Sequence, residues 1–221
     1  MPSPLSSRRL SVIMFADMVG YSALTQRDEA LALDLLSEHN QLIRGVLAAH
    51  LGREIKTVGD AFLVEFDSAL EAVRCAIKIQ GDIAARNAAV NTESTSTEPI
   101  SIRVGIHLGD VVYREGDVFG DGVNIAARVQ SSAGADEILM SEDVARQVVN
   151  KIEPKLIDLG IAELKNISQP VRLFAVEGFG TPKTNGAKGA VKEASLGEAD
   201  SLDGGLSRLS LNNDKIGRAH V

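Results

Sequence analysis

The sequence predicts an α/β (α+β) protein with one mixed sheet covered by helices. Three observations lead there. Short β-branched runs alternate with longer stretches whose apolar residues recur at helical spacing. Two Gly-Asp pairs, Gly59-Asp60 and Gly109-Asp110, each sit between β-rich runs, as hairpin turns do. The run Leu10 to Ala16 is continuously apolar, which suits a strand buried on both faces. Interleaved strands and helices of this kind pack as helix layers on a sheet.

Met1 to Arg9 is a short polar lead-in, and the first strand, Leu10 to Ala16, ends at Asp17. The segment DMVGYSALT turns the chain, and Gly20 allows a close backbone approach there. A helix is predicted from about Asp28 to His50. Leu31, Leu35, Leu42 and Val46 make its apolar stripe, thickened by Leu36, Ile43 and Leu47, with Gly52 just past its end. Glu54 to Val58 and Ala61 to Phe66 form a hairpin around Gly59 and Asp60. Ser68 and Glu71 make a capping-box pattern opening a second helix through about Ala85, with Ala72, Val73, Ala76, Ile79 and Ile83 inward. Asn87 to Pro99 is polar and aperiodic, hence a predicted loop.

Ile100 to Leu108 and Val111 to Tyr113 read as two strands of a second hairpin around Gly109-Asp110. Asp117 to Gly122 reads as a glycine-containing loop, followed by a helix to about Val129. A strand over Glu137 to Met140, a helix over Glu142 to Asn150, and strands over Lys155 to Leu159 and Val171 to Val176 complete the pattern. From Phe179 onward Gly, Ala, Ser, Lys and Asp dominate, a composition that cannot bury a core, so residues 179–221 are expected to be a disordered linker or tail. The last residues, IGRAHV, resemble one translated frame of a common sequencing adapter, so the natural protein is expected to run further.

With 221 residues, 44% of them hydrophobic, the chain has enough apolar surface for one good core. A net charge of -7 excludes nucleic acid held on a broad basic surface, because counterion release needs clustered Lys and Arg. A local cationic pocket for a nucleotide stays open. The one cysteine, Cys75, cannot pair within the chain, and no apolar run reaches the length of a membrane span or a signal-peptide core. The expected location is cytoplasmic, with no membrane segment in this chain.

Two carboxylates stand out. Asp17 ends a buried strand, and Asp60 lies on a hairpin that must pack beside that strand if the sheet closes. Such a pair suits Mg²⁺, a hard cation usually held by one or two carboxylates, with water and substrate phosphate completing its shell. Strand-end aspartates are also common turn formers, which is the alternative. Backbone N–H groups from Met18, Val19, Gly20 and Tyr21 to Ser22 would offer phosphate oxygens a cradle. In DVFGDGVNIAARV, Asn124 and Arg128 are one helical turn apart, and Arg128 could point at a phosphate or form an ion pair on a solvated face. Val123 and Ala127, also four apart, can pack on the sheet. His107, Asp110 and Asp121 read as structural.

FADMVGYS, EIKTVGDAFLVEF, IRVGIHLGDV and DVFGDGVNIAARV, in this order, resemble the class III nucleotidyl cyclase catalytic domain of bacterial adenylyl cyclases. The resemblance runs from about Arg9 to Gly178 and places the catalytic domain at residues 10–178. It implies a ferredoxin-like βαββαβ core with added elements, and a head-to-tail homodimer, required for activity, with sites at the subunit interface. It implies Asp17 and Asp60 as ligands of two Mg²⁺ or Mn²⁺ ions per active site. Lys56 and Asp117 take the positions that read the purine, and Asn124 and Arg128 those that orient the ribose and stabilise the transition state. Lys165, in ELKNISQPVRLFAV, resembles the lysine that contacts the terminal phosphates. In such a dimer one hairpin feeds both sites, Asp60 joining one and Lys56 the other.

Adenine presents an acceptor at N1 and a donor at its amine, so a lysine and an aspartate complement that edge, whereas guanine offers the opposite pattern. Lys56 with Asp117 therefore favours ATP. The implied reaction is in-line attack of the ribose 3′-hydroxyl on the α-phosphorus, expelling pyrophosphate and leaving 3′,5′-cyclic AMP. Water and Asp17 are both open as the group that takes the proton. The alternatives are a catalytically silent nucleotide-binding or dimerisation module, a guanylyl cyclase, and a metal-dependent hydrolase or polymerase using the same carboxylates.

Overall fold

A computed structural model describes residues 7–92, 98–114 and 116–182. The elements in chain order are β1 (Ser7–Met18), α1 (Tyr21–Arg27), α2 (Glu29–Ala49), β2 (Arg53–Val58), β3 (Ala61–Phe66), α3 (Ala69–Thr92), β4 (Ile102–Arg114), β5 (Asp117–Phe119), α4 (Asp121–Ser132), β6 (Ile138–Ser141), α5 (Glu142–Val148), β7 (Leu156–Ala162) and β8 (Val171–Val176). The strands form one mixed sheet in the order β2-β3-β1-β4-β6-β8-β7, with β5 paired to β4. β4 and β6 run parallel, and the other neighbouring pairs run antiparallel.

The apolar run of β1 is buried on both sides, as its continuity predicts. Val12, Met14 and Ala16 join the main core with α2, α3 and α5, whereas Ile13 joins a smaller cluster with Val111, Val118 and Ala126 on the face that α4 covers. Ile13, Met14 and Phe62 are fully buried, each contributing roughly 1.5–3 kcal/mol of transfer free energy. The inward stripe of α3 is as predicted, with Ala72, Val73, Ala76, Ile79 and Ile83 all in the core. On α2, Leu35, Ile43, Val46 and Leu47 are buried, and Leu31, Leu36 and Leu42 pack at the margin.

The hairpin of β2 and β3 turns as expected: Val58 pairs with Ala61, and Gly59 takes a φ of 63° at the first turn position. The ladder carries one irregularity. Glu54 faces Val64 and Lys56 faces Leu63, so Ile55 is an extra residue. Unbulged, Ile55 would oppose Leu63, and Lys56 would share a face with Phe62 in the main core. The bulge instead turns Lys56 to the Leu63 side, which α4 covers.

Several sequence expectations are corrected. The second hairpin is not at Gly109-Asp110, where β4 runs straight through: Ser11 pairs with Gly109 and Leu10 with Asp110. Gly109 is not among the residues with positive φ, and its missing side chain serves packing instead, since a Cβ there would stand 3.0 Å from the Gly122 Cα. The hairpin that does form joins β4 to β5, with Arg114 opposite Asp117 and Gly116 at a φ of 83°. Asp117–Phe119 is therefore a strand and not part of a loop. β1 begins at Ser7, because Arg8 and Arg9 pair with Val112 and Val111 of the long β4. The segment after Asp17 holds the short helix α1, entered through Gly20 at a φ of 81°. α3 continues past Ala85 to Thr92. Residues 183–221, most of the expected tail, lie outside the described residues.

Candidate active site

Asp17 and Asp60 come together as the sequence predicts. Ala16 pairs with Phe62, so the next residues of β1 run alongside the β2–β3 turn. The Met18 N–H donates to Asp60 Oδ2 at 3.1 Å, and the two carboxyl groups lie within hydrogen-bonding reach. Burial raises the Asp60 carboxyl from the ordinary 3.8 to about 7, and the hydrogen bond and charge of Asp17 add to the rise. Two like charges this close favour sharing one proton unless a cation enters.

Arg103 was not singled out in the sequence, although IRVGIHLGDV contains it. In the sheet Asp17 and Arg103 are direct cross-strand partners. The guanidinium donates to Asp17 Oδ2 through Nη2 at 2.7 Å and through Nε at 3.2 Å. Gln130 of α4 donates to the same oxygen at 3.2 Å. No spacing rule reveals these pairs, because Arg103 and Gln130 are far from Asp17 in the chain; only the β1–β4 register and the seat of α4 bring them in.

The donor set is two carboxylates, and the described residues contain no group of three or more His, Cys, Asp or Glu able to enclose a metal. That chemistry fits a hard divalent cation completed by water and phosphate oxygens, and not a closed protein cage. Of the expected phosphate cradle, two N–H groups are taken up within the protein. Met18 donates to Asp60, and Val19 donates to the Ser101 carbonyl at 2.8 Å. Of the residues expected to form that cradle, this leaves Gly20, Tyr21 and Ser22 at the start of α1.

Lys56 Nζ lies 2.5 Å from Asp117 Oδ2. The bulge on β2 delivers the lysine, and the start of β5 delivers the aspartate, whose other oxygen accepts the Val118 N–H at 2.8 Å. A cationic donor and an anionic acceptor thus stand side by side.

α4 is amphipathic in a useful way. Gly122, Ala126, Val129 and Gln130 are its buried residues, whereas Asn124 is exposed and Arg128 half-buried on other faces. Val123 packs against the Ile13 cluster, as expected. Lys165 is exposed between β7 and β8. On β8, Leu173 near that connection pairs with Ser141, whereas the opposite end of β8 runs toward the Arg103 end of the sheet.

The profile described as the adenylate and guanylate cyclase catalytic domain matches residues 7–178. The putative adenylate cyclase 3 of Rhizobium meliloti (strain 1021) is 38% identical over 168 residues, covering 76% of this chain and 28% of that protein. The chain thus spans well under half of that relative's length. The crystal structure of an adenylate/guanylate cyclase/hydrolase from Silicibacter pomeroyi matches with a TM-score of 0.70 at 36% identity, over 77% of this chain and 98% of the other. The adenylyl cyclase CyaB from P. aeruginosa matches with a TM-score of 0.70 at 25% identity, over 83% of this chain and 100% of the other.

Proposed function

The chain belongs to the adenylate and guanylate cyclase catalytic-domain family, and from that premise we propose that it converts ATP to 3′,5′-cyclic AMP and pyrophosphate at sites shared across a homodimer. Cyclase domains of this family bind a nucleotide, generally use divalent metal ions and generally act as dimers. The choice of ATP is carried by one observation, the pairing of Lys56 with Asp117 at 2.5 Å. A lysine donor beside a carboxylate acceptor complements the N1 and amine edge of adenine, and mismatches the carbonyl and N1–H edge of guanine. A site whose polar groups the wrong base leaves unpaired disfavours that base.

Mg²⁺ or Mn²⁺, two per site and held by Asp17 and Asp60, would neutralise phosphate charge and acidify the 3′-hydroxyl. The chain's own residues do the rest. Arg103, already drawn to Asp17, offers the same pocket a cation for the departing phosphates. Arg128 stabilises charge on the α-phosphate, and Asn124 orients the ribose. The amides of Gly20, Tyr21 and Ser22 face phosphate oxygens, and Lys165 reaches the terminal phosphates. Asn124 on α4 and Lys165 between β7 and β8 are exposed, which leaves them open to a second copy of the chain and supports a shared site. No helix among the described residues is long and apolar enough to cross a membrane.

The purified chain, incubated with ATP or GTP and Mg²⁺ or Mn²⁺, tests the reading by chromatography of the products. Cyclic AMP with pyrophosphate is expected, and little cyclic GMP. A preference for GTP overturns the substrate assignment, a linear nucleotide product points to hydrolase chemistry, and no turnover by a demonstrated dimer marks a silent module.

A further inference from the structure

We infer that Gln130 is a positioning residue for the Asp17 carboxylate and that, through α4, it ties the two halves of the shared site together; the inference rests on Asp17 being a cation ligand. The Gln130 side chain donates from Nε2 to Asp17 Oδ2 at 3.2 Å, the oxygen that also accepts both N–H groups of Arg103. Two donors from two different elements, β4 and α4, thus converge on one oxygen and set the rotation of the carboxylate.

The seat of Gln130 leaves its side chain little freedom. The residue is 7% exposed. Its main chain lies directly on β4, because a Cβ built on Gly105 would stand 2.1 Å from Gln130 N and 2.3 Å from Gln130 Cα. Only glycine at position 105 lets the helix approach so closely. The amide is therefore a donor fixed by backbone packing, and it directs Asp17 without adding a charge. Arg103 supplies a positive charge at the pair; a carboxylate at position 130 would add a third negative charge and compete for that guanidinium.

Two residues before Gln130, on another face of the same helix, is Arg128, with Asn124 one turn further back. α4 thus grips the carboxylate of one site on its buried side and presents the groups for the other site on its outer side. A shift of α4 that moved Arg128 would also disturb the bond to Asp17. Partners that orient a metal-ligating carboxylate typically cost about 10–100-fold in metal affinity or activity when removed.

The test is Gln130→Met, which keeps length and apolar bulk and removes the donor. Mn²⁺ binding is followed by electron paramagnetic resonance on the whole chain, without turnover, and melting is followed in EDTA. The expected result is a melting temperature close to wild type in EDTA and Mn²⁺ affinity about 10-fold lower or worse. The Mn²⁺ concentration giving half-maximal turnover should rise by the same factor, with the KM for ATP at saturating Mn²⁺ unchanged. Gln130→Asn, which withdraws the amide by one methylene, should behave the same way. A folded variant of either kind with wild-type Mn²⁺ affinity overturns the inference, and so does a wild type that binds no Mn²⁺. If neither variant folds, the Gln130 side-chain amide resonance of the wild type must move on adding Mg²⁺, and an unmoved resonance overturns it. A wild type that binds Mn²⁺ but makes no cyclic AMP defeats the cyclase reading alone, since the affinity comparison needs no turnover.

Discussion

The backbone N–H of Met18 donates to the carboxylate of Asp60 at 3.1 Å, fastening the tip of the β2–β3 hairpin to the end of β1 beside Asp17. The bond fixes the hairpin where its aspartate is partly desolvated and faces a second carboxylate. The arrangement has an electrostatic cost in the metal-free protein, and that cost is measurable.

The Asp60 carboxyl lies at about 7 in the folded chain against an ordinary 3.8, because burial and Asp17 disfavour its charge. Between these values the folded state binds more protons than the unfolded one. The contribution of this group to stability is therefore complete at acid pH and lost as pH rises through about 7. Asp60→Asn keeps an oxygen to accept from Met18 and removes the titration. In EDTA, the variant should gain about 1–2 kcal/mol over wild type between about pH 5 and about pH 8, solvent screening of the partly exposed pair included. Thermal melts across that range check it, and parallel curves for the two proteins would count against the coupled pair.

Removing the lysine of the proposed base-reading pair should affect recognition far more than folding. The Lys56 and Asp117 side chains are 44% and 30% exposed, so their ion pair contributes at most about 1 kcal/mol to stability. Lys56→Ala is expected to melt near wild type, and to lose about 100-fold or more in kcat/KM for ATP with a reduced ratio of ATP to GTP turnover. Competition assays with both nucleotides read this out. An undiminished preference for ATP would remove Lys56 from the reading of the base.

The proposed shared site predicts complementation between two dead enzymes. Asp60→Asn damages the half of the site proposed to hold the cations, and Arg128→Ala the half proposed to stabilise the transition state. Each alone should be nearly inactive, and mixing them should restore activity, because one of the two sites in a mixed dimer keeps every group. Mixed dimers demonstrated by differential tagging that stay inactive would rule out the shared site.

Gly105→Ala should be among the most damaging single substitutions in the chain. Its Cβ would meet the main chain of Gln130 at 2.1 Å, and backbone of a packed helix yields only by moving the whole element. A loss of about 3 kcal/mol or more in urea unfolding is expected, above the usual range for small overpacking. Gly45→Ala, where a Cβ meets nothing within 4 Å, is the control and should be neutral or mildly stabilising.

Much of this was legible in the chain because it is local. The apolar run of β1, the Gly59-Asp60 turn, the capping signal before α3 and the i, i+4 placement of Asn124 and Arg128 all lie within one element or its boundary. The same local logic failed at Gly109-Asp110. A Gly-Asp pair between β-rich runs reads as a turn, yet β1 supplies a ladder that β4 follows straight through, and the glycine is there for the approach of α4. The helix after Tyr21 and the continuation of α3 past Ala85 were missed because their residues are polar and give no strong periodic signal.

By itself, then, the sequence determined the succession of elements, the faces of the long helices and the identity of the candidate residues, since periodicity, turn chemistry and motif are properties of neighbours. Tertiary structure alone decided how those residues meet. The extra residue Ile55 moves Lys56 from the core side of β2 to the side where Asp117 reaches it. The β1–β4 register sets Arg103 against Asp17, and the bare Gly105 seats Gln130 above both. Each of these depends on pairing between segments distant in the chain, where a shift of one residue puts a side chain on the opposite face.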